Sequence, residues 1–169
     1  LAQQAAEQAA QPAVESAAWH SNVPYVASSA KMMLRRDGRS LAVLTTPTTP
    51  EAGDLLRLEL VGGRWIEPGD ETRAEEPVVL SRRLARLVFG DENPVGRILP
   101  DFDAGGTAAA AAGEGSPEPL RRVVGLVSAY KRGAPLSSEV PVLFQAWRLA
   151  DPDPWIRPAA LLGRTRPGR

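Results

Sequence analysis

A serine and a lysine form the pattern in this chain that most resembles a catalytic motif, Ser28-Ser29-Ala30-Lys31. In this S-x-x-K spacing a lysine one helical turn away can activate a serine nucleophile for acyl transfer. The motifs that accompany it in such enzymes are missing from the sequence, and Lys31 opens a stretch with strand character. We therefore interpret the four residues as structural.

Carboxylates form three groups whose spacing could support chemistry. Asp101 and Asp103 are two residues apart, as are Asp151 and Asp153, and oxygen ligands at this spacing can bind a hard cation. An acidic stretch could hold the paired carboxylates of a glycosidase, with Glu67, Asp70, Glu71, Glu75 and Glu76 as its members. The two Asp pairs stand beside Pro or Gly, which is typical of turns. Nothing in the sequence indicates burial of the acidic stretch, so we predict a solvated loop there.

Histidine and cysteine chemistry is almost absent from the sequence. The chain has one histidine, His20, and no cysteine, which excludes a multi-histidine metal centre, Cys-ligated metals and thiol nucleophiles. His20 follows Trp19 and could carry a proton or edge a ligand pocket, but a partly buried structural histidine is the simpler interpretation. Neither a G-x-x-x-x-G-K loop nor a G-x-G-x-x-G fingerprint occurs. We predict no catalytic, cofactor-binding or metal-binding residue, and no enzyme activity.

Charge and size narrow the function classes further. Twenty basic and twenty acidic residues leave a net charge of zero, which argues against nucleic-acid binding and against attachment to anionic lipid through a basic patch. Arg82, Arg83 and Arg86 cluster on one predicted helix, either as a solvated face or as a docking site for an acidic partner. The length of 169 residues fits one domain, and no apolar run is long enough to span a bilayer. Because the chain starts at Leu1 without a signal-peptide pattern, we expect it to be a piece of a longer protein.

The first part of the chain predicts a helix followed by a hairpin. Residues 1–18 are rich in Ala, Gln and Glu and predict helix, with a break or a new start at Pro12. An Asp-Gly pair at 37–38 between two strand-like runs predicts a β-hairpin. Its register follows from the turn: Leu34 faces Leu41 and Met32 faces Val43.

The middle of the chain alternates short strands and helices. Thr49-Pro50-Glu51 is typical of a helix start, and the alternating leucines at 56, 58 and 60 predict a strand after it. A tight backbone passage is expected at residues 62–65. A buried strand over residues 77–80 then leads into a helix over residues 81–89, capped by Ser81 and ended by Gly90.

The last third predicts a long insertion and more strands. Residues 101–119 are dominated by Ala, Gly, Glu and Pro, a composition that predicts a mobile insertion. Strands are expected over residues 122–127, 140–147 and 159–164. Together these patterns predict an α+β fold with a mixed sheet and a few helices, without repeated βα units.

Several segments in order resemble one known family, the extracytoplasmic core domain of MacB-type ABC transporter permeases and related orphan permeases. The segments lie at residues 49–65 with Asp70, 77–90, 93–97 and 122–127, with weaker likeness at 14–18, 140–144 and 163–165. Asn93-Pro94-Val95-Gly96 would form the turn that returns Arg97 to the sheet. Glu51-Ala52-Gly53 departs from the family, where an aromatic pair often follows the Thr-Pro, and the insertion after Asp101 is longer than usual.

The resemblance implies a non-catalytic domain on the periplasmic side of the bacterial inner membrane, between two membrane helices. Cytoplasmic ABC ATPases would drive those helices, and this domain would pass the motion to substrate or to a periplasmic adaptor protein. It also implies two subdomains, residues 1–48 with 131–169 and residues 49–130 inserted between them. We expect the isolated domain to be a monomer. Two alternatives remain: a freestanding binding module for a small ligand or protein partner, and a hydrolase that uses unrecognised carboxylates.

Overall fold

The computed structural model describes residues 14–20, 31–36, 39–100, 102–103, 120–130, 139–147 and 160–165 of the chain. The strands are β1 (Val14–His20), β2 (Lys31–Arg36), β3 (Arg39–Thr48), β4 (Leu60–Gly63), β5 (Glu76–Ser81), β6 (Phe102–Asp103), β7 (Arg121–Val127), β8 (Val142–Ala146) and β9 (Ala160–Thr165). The helices are α1 (Ala52–Leu55) and α2 (Arg82–Phe89), with a 3₁₀ helix at Asp70–Thr72. None of the helices in these ranges has the length and apolar character needed to cross a membrane.

All of these strands join one mixed sheet. Its main order is β4-β7-β5-β8-β3-β1-β9, and β2 pairs with both β3 and β6. The β3·β8 and β5·β7 pairs are parallel, whereas the other pairs are antiparallel. The predicted α+β class with a mixed sheet and few helices is therefore confirmed.

The core lies on both faces of this sheet, and β8 contributes to each face. On one face α2 packs against the sheet, and Leu143 joins Val78, Leu80 and Val123 there. On the other face Phe144 lies in a second cluster that contains Tyr130. Successive side chains of a strand point to opposite faces, so the unbroken apolar start of β8 supplies both clusters from one strand.

The hairpin predicted around Asp37-Gly38 is confirmed in its strands and in its register. Strand β2 pairs with β3 so that Leu34 lies opposite Leu41 and Met32 lies opposite Val43. Strand β3 continues beyond the hairpin, and its second half pairs with β8. One strand thereby connects the hairpin to the centre of the sheet.

The predicted helix over residues 1–18 is wrong where the structure describes it. Residues 14–18 belong to β1, which pairs antiparallel with β9 and meets β3 at its end. Ala17 and Ala18 are buried in the sheet. The helix propensity of alanine is a weak preference that strand pairing overrides here. Residues 1–13 lie outside the described part of the chain.

The next helix and strand are shorter than the sequence suggests. Helix α1 has Glu51 at its N-cap, without a side-chain cap. The Thr49 hydroxyl, expected to cap it, instead accepts a hydrogen bond from the Trp19 backbone N–H at 3.2 Å. The strand begins only at Leu60, so the leucines at 56 and 58 precede it. Thr49 therefore does not cap α1, because its hydroxyl is bonded to the backbone of β1 instead.

The strand, cap and helix predicted around Ser81 are confirmed. Strand β5 is buried along its whole length, and Ser81 caps α2 by accepting a hydrogen bond from the Leu84 N–H. Gly90 follows the last helical residue with a φ of 67°. Strands β7, β8 and β9 likewise lie within one or two residues of the predicted ranges.

Two glycine-containing turns contact β7 closely. Gly63 has a φ of 69°, and a Cβ at this position would lie 2.1 Å from the Val124 carbonyl oxygen. Gly96, with a φ of 88°, ends the predicted Asn93 turn and donates a hydrogen bond to the Val123 carbonyl oxygen. Glycine is favoured at Gly63 because a side chain would clash and φ is positive, and at Gly96 because φ is positive. The expected tight passage and the expected return turn are confirmed.

Candidate functional site

Between β4 and β5 the acidic stretch is a largely exposed loop that holds one buried carboxylate, Asp70, bonded to two arginines. The Arg64 guanidinium donates two hydrogen bonds to the Asp70 carboxylate, at 2.7 and 3.0 Å. The Glu67 backbone N–H donates to the same carboxylate at 3.0 Å, and Arg73 Nε lies 2.9 Å from its other oxygen. The Asp70 side chain is fully buried. The predicted solvated loop is therefore wrong at Asp70.

This bonding decides the charge state of the carboxyl group. Burial acts to raise the pKa of Asp70, but the hydrogen bonds from Arg64 and Glu67 and the charges of Arg64 and Arg73 outweigh it and lower the pKa below its usual value. The same hydrogen bond raises the pKa of Arg64. A lowered pKa is the opposite of what a general acid needs, and both oxygens of the ionised carboxylate are already bonded within the loop.

The other end of the acidic stretch is also paired with arginine. Glu76 is buried and accepts a hydrogen bond from Arg121 Nε at 2.9 Å. Glu75 is partly exposed and accepts two from Arg122, at 2.5 and 3.0 Å, which lowers its pKa. The parallel β5·β7 pairing places Glu76 opposite Arg121 and so brings the charges together. Glu76 thus contradicts the predicted loop as well.

The remaining sequence candidates are not brought together into a site by the described part of the structure. His20 ends β1 and lies opposite Thr48 and Ala160 in register. Lys31 opens β2, and Asp103 ends β6. The residues at 28–30, 101 and 151–153 lie outside the described part of the chain. Among the described residues no group of three or more His, Cys, Asp or Glu is placed to hold a metal ion.

The three arginines on α2 do lie together. Leu84, Ala85 and Val88 form the buried side of the helix, which leaves the arginines exposed to solvent on the other side. A shallow depression of about 370 Å³ lies on this exposed side. Its lining residues are Arg82, Arg83, Arg86, Leu87 and Glu139. The arginines are recognisable as a cluster from the sequence, whereas Glu139 is distant in sequence and becomes their neighbour only in the fold.

Trp65, which follows β4 closely in sequence, packs against α1 at Gly53. Its Nε1 donates a hydrogen bond to the Pro50 carbonyl oxygen at 2.8 Å. A Cβ on Gly53 would lie 2.8 Å from the same nitrogen, so the ring packs directly on the glycine backbone. The ring also lies 5.2 Å from that of Phe144. One aromatic residue therefore connects the helix to the core.

The two ends of the described chain meet at one edge of the sheet. Val14, the first residue of β1, lies opposite Thr165, the last residue of β9. Arg164 on β9 donates a hydrogen bond to the Asp54 carbonyl oxygen of α1 at 2.9 Å. Such a contact suits the negative end of a helix. The edge formed by β1 and β9 is thus bonded to α1.

Comparison with protein families identifies one match. A model described as the MacB-like periplasmic core domain matches residues 2–152. No curated protein sequence matches the chain at a significant level.

Several solved structures are similar in fold to this chain. The periplasmic region of MacB from Actinobacillus actinomycetemcomitans is 18% identical, with a TM-score of 0.58 over 86% of this chain and 54% of that one. The extracellular domain of the noncanonical ABC-type transporter YknZ from Gram-positive bacteria is 12% identical, with a TM-score of 0.57 over 86% and 61%. A domain assigned to a permease of Porphyromonas gingivalis is 20% identical, with a TM-score of 0.57 over 97% and 67%. The chain spans little more than half of the first of these structures.

Proposed function

Since this chain belongs to the family of MacB-like periplasmic core domains of ABC transporter permeases, we propose that it transmits ATP-driven motion of the membrane helices to a substrate or an adaptor protein during export. The family is periplasmic or extracellular, so the domain works on the outer side of the inner membrane. Its partners in this proposal are the membrane helices of the same permease, a cytoplasmic ABC ATPase and a periplasmic adaptor.

The observation that carries the proposal is the meeting of β1 and β9 at Val14 and Thr165. Directly opposed residues of antiparallel strands have Cα atoms about 4.5–5.5 Å apart. A domain inserted between two membrane helices must receive the chain and return it at one membrane surface. Helices joined to these two strands would pull on one edge of the sheet together. The Arg164 bond to α1 would carry that pull into the middle of the chain.

We propose further that the domain has no chemistry of its own. The buried carboxylates of Asp70 and Glu76 are each bonded to an arginine. Neither of these two carboxylates is therefore free to act as an acid or a base. The transmission role requires no reacting group. A reproducible turnover by the purified chain, abolished by replacing Asp or Glu, would contradict this part of the proposal.

The proposed division into subdomains follows the sheet. Residues 1–48 with 131–169 would form the part next to the membrane, and residues 49–130, with the insertion 101–119, the part set between them. Strand β8 of the first part pairs with β3 on one side and with β5 of the second part on the other. The boundary would therefore run between β8 and β5 and between β2 and β6, and motion would cross it through backbone hydrogen bonds. The isolated chain would be a monomer.

The transmission proposal is tested in the complete permease with its ATPase in lipid nanodiscs. The 169 residues contain no cysteine, so in a permease whose other cysteines have been replaced, Glu51→Cys gives one exposed labelling position for a fluorophore, with its partner on the ATPase. ATP should change the energy transfer between the two. Flexible Gly-Ser linkers ahead of β1 and after β9 should abolish that change while ATP hydrolysis continues, because a flexible linker does not transmit force.

The control is the same linker inserted between Asp91 and Glu92, in the exposed turn after α2. This insertion should leave the ATP-dependent change in place. A change that survives the linkers at both ends, or no change in the unmodified transporter, would contradict transmission. In the second case a freestanding binding module becomes the better account.

A further inference from the structure

We propose that the exposed side of α2 is a docking surface for a short acidic segment of a protein partner. The surface consists of Arg82, Arg83, Arg86 and Leu87, and Glu139 borders its depression. The inference rests on the proposed function only in taking the partner to be the protein that receives the motion. The binding itself is argued from charge, exposure and size.

The charge of this surface is not neutralised within the described part of the chain. No ion pair there involves Arg82, Arg83 or Arg86, whereas Arg64, Arg73, Arg97, Arg121 and Arg122 are all paired with acids. Glu139 is the one acid in the lining of the depression. In a chain with no net charge, three exposed arginines against one glutamate form a local excess of positive charge.

The position of two of these arginines is unfavourable for the helix itself. The first turn of α2 holds Arg82 and Arg83 and no acidic residue. The N-terminus of a helix carries partial positive charge, so cations there cost stability while acids would add to it. Carboxylates supplied by a partner would relieve this repulsion and pair with guanidinium groups in the bidentate geometry that arginine favours.

Leu87 indicates that the occupant is a protein segment. It is 49% exposed in the lining of the same depression, next to the arginines. An inorganic anion gains nothing from an exposed leucine, whereas a peptide with an apolar side chain beside its acids does. Arginine itself is one of the residue types enriched at binding hot spots.

The size of the surface favours a short segment over a second copy of the chain. A helix of eight residues is about 12 Å long, and a stable interface buries roughly 800 Å² on each partner. One exposed face of α2 is too small for that. The helix is nonetheless a firm platform, because Ser81 caps it and Leu84 and Val88 are buried beneath it. The backbone of the helix should therefore need little ordering on binding, and the ordering cost falls on the arginine side chains.

The test uses the 169-residue chain and a fluorescein-labelled helical peptide with glutamates and a leucine on one face. Fluorescence anisotropy should show binding that weakens at least tenfold between about 50 mM and about 500 mM NaCl, because screening shortens the range of the attraction. The double variant Arg83→Glu/Arg86→Glu should weaken binding more than tenfold, and Leu87→Ser about threefold. The same peptide with glutamine in place of glutamate should not bind.

The matched control is Arg57→Glu, which reverses the charge of an exposed arginine outside the surface and should change affinity less than twofold. Thermal melts of every variant establish that a loss of binding is not a loss of fold. Equal binding of the glutamine peptide, or none of the acidic one, would overturn the proposal. So would binding to phosphatidylglycerol vesicles without binding to the peptide, or displacement of the peptide by millimolar phosphate. The assay needs neither ATP nor membrane, so it can fail while transmission holds, and the reverse.

Discussion

Asp70 shows how a single side chain can organise a loop that has little apolar content. Its carboxylate accepts hydrogen bonds from Arg64 and from the Glu67 backbone and pairs with Arg73, although it is fully buried. A buried charge is tolerated only when its hydrogen-bonding capacity is met. The loop between β4 and β5 is therefore held by this polar centre together with Trp65 and Ile66, which pack into the core at the start of the loop.

Replacing Asp70 by Asn should destabilise the fold by about 1.5–3 kcal/mol, the range for hydrogen bonds to charged groups. The loss arises because Asn cannot accept both guanidinium bonds and leaves Arg64 without its charge partner. Urea unfolding followed by tryptophan fluorescence measures the effect. Asp91→Asn, at an exposed position, is the control and should change the free energy of unfolding by less than about 0.5 kcal/mol.

The lowered pKa of Asp70 predicts that the stability of the fold depends on pH. The folded pKa of Asp70 lies below its usual value, so the native state binds its proton less readily than the unfolded state. The contribution of Asp70 to the free energy of unfolding is fully present at neutral pH. It is lost as pH falls below about 4 and through the folded pKa. Wild type should lose more stability than Asp70→Asn between pH 7 and pH 3. Equal losses would show that Asp70 is not held ionised.

Alanine substitutions at Gly63 and Gly69 allow the free-energy cost of a positive φ to be distinguished from the cost of a steric clash. Both have positive φ, but a Cβ on Gly63 would strike the Val124 carbonyl oxygen, whereas one on Gly69 meets nothing within 4 Å. Gly69→Ala should cost about 1–2 kcal/mol, the penalty for a left-handed residue. Gly63→Ala should cost at least about 2 kcal/mol more, because backbone must move. Chemical unfolding of both variants tests the difference, and equal costs would contradict the close approach to β7.

At the scale of elements, α2 depends on one buried hydroxyl that serves two elements. Ser81 Oγ accepts hydrogen bonds from the Leu84 N–H at 3.3 Å and from the Val142 N–H at 3.0 Å. It thus caps the helix and satisfies the first residue of β8. The proposed docking surface is carried by this helix, so its geometry depends on that cap.

Ser81→Ala should destabilise the chain by about 2–3 kcal/mol, since the loss of a cap adds to a buried N–H left without its acceptor. Thermal unfolding measures it, with Ser40→Ala, at an exposed strand position, as the control. Hydrogen exchange should quicken at Leu84 and at Val142 together. Faster exchange at Leu84 alone would mean that the hydroxyl does not link helix and strand.

At the scale of the whole molecule, β8 holds the sheet together. It pairs with β3 and β5, and its Phe144 is fully buried, with ring centroids 5.2 Å from Trp65 and 5.4 Å from Tyr130. Side chains from both proposed subdomains therefore meet in one cluster. A shared core of this kind favours one cooperative unfolding transition.

Phe144→Ala should cost about 3–5 kcal/mol, and the unfolding transitions followed by tryptophan fluorescence and by far-ultraviolet circular dichroism should coincide. Leu120→Ala, at a leucine that is 55% exposed, should have little effect and serves as the control. Two separate transitions in wild type would mean that the subdomains fold independently and that β8 does not couple them.

The amino-acid sequence by itself determined the features that depend on neighbours along the chain. The hairpin register at Leu34 and Leu41, the cap at Ser81 and the glycine passage at Gly63 all follow from local backbone rules, and all are confirmed. The ordered segments also identified the family. Turns, caps and glycines act over a few residues, so a single sequence carries their signal.

Tertiary structure alone decided the features that join distant residues. Strand β1 forms from an alanine-rich stretch because β9, far along the chain, pairs with it. Glu76 is buried against Arg121, which lies 45 positions further along the chain, and Glu139 borders the α2 surface only after the chain has folded. Sheet pairing and charge burial depend on partners that local composition does not specify, so propensity gives the wrong answer at these positions.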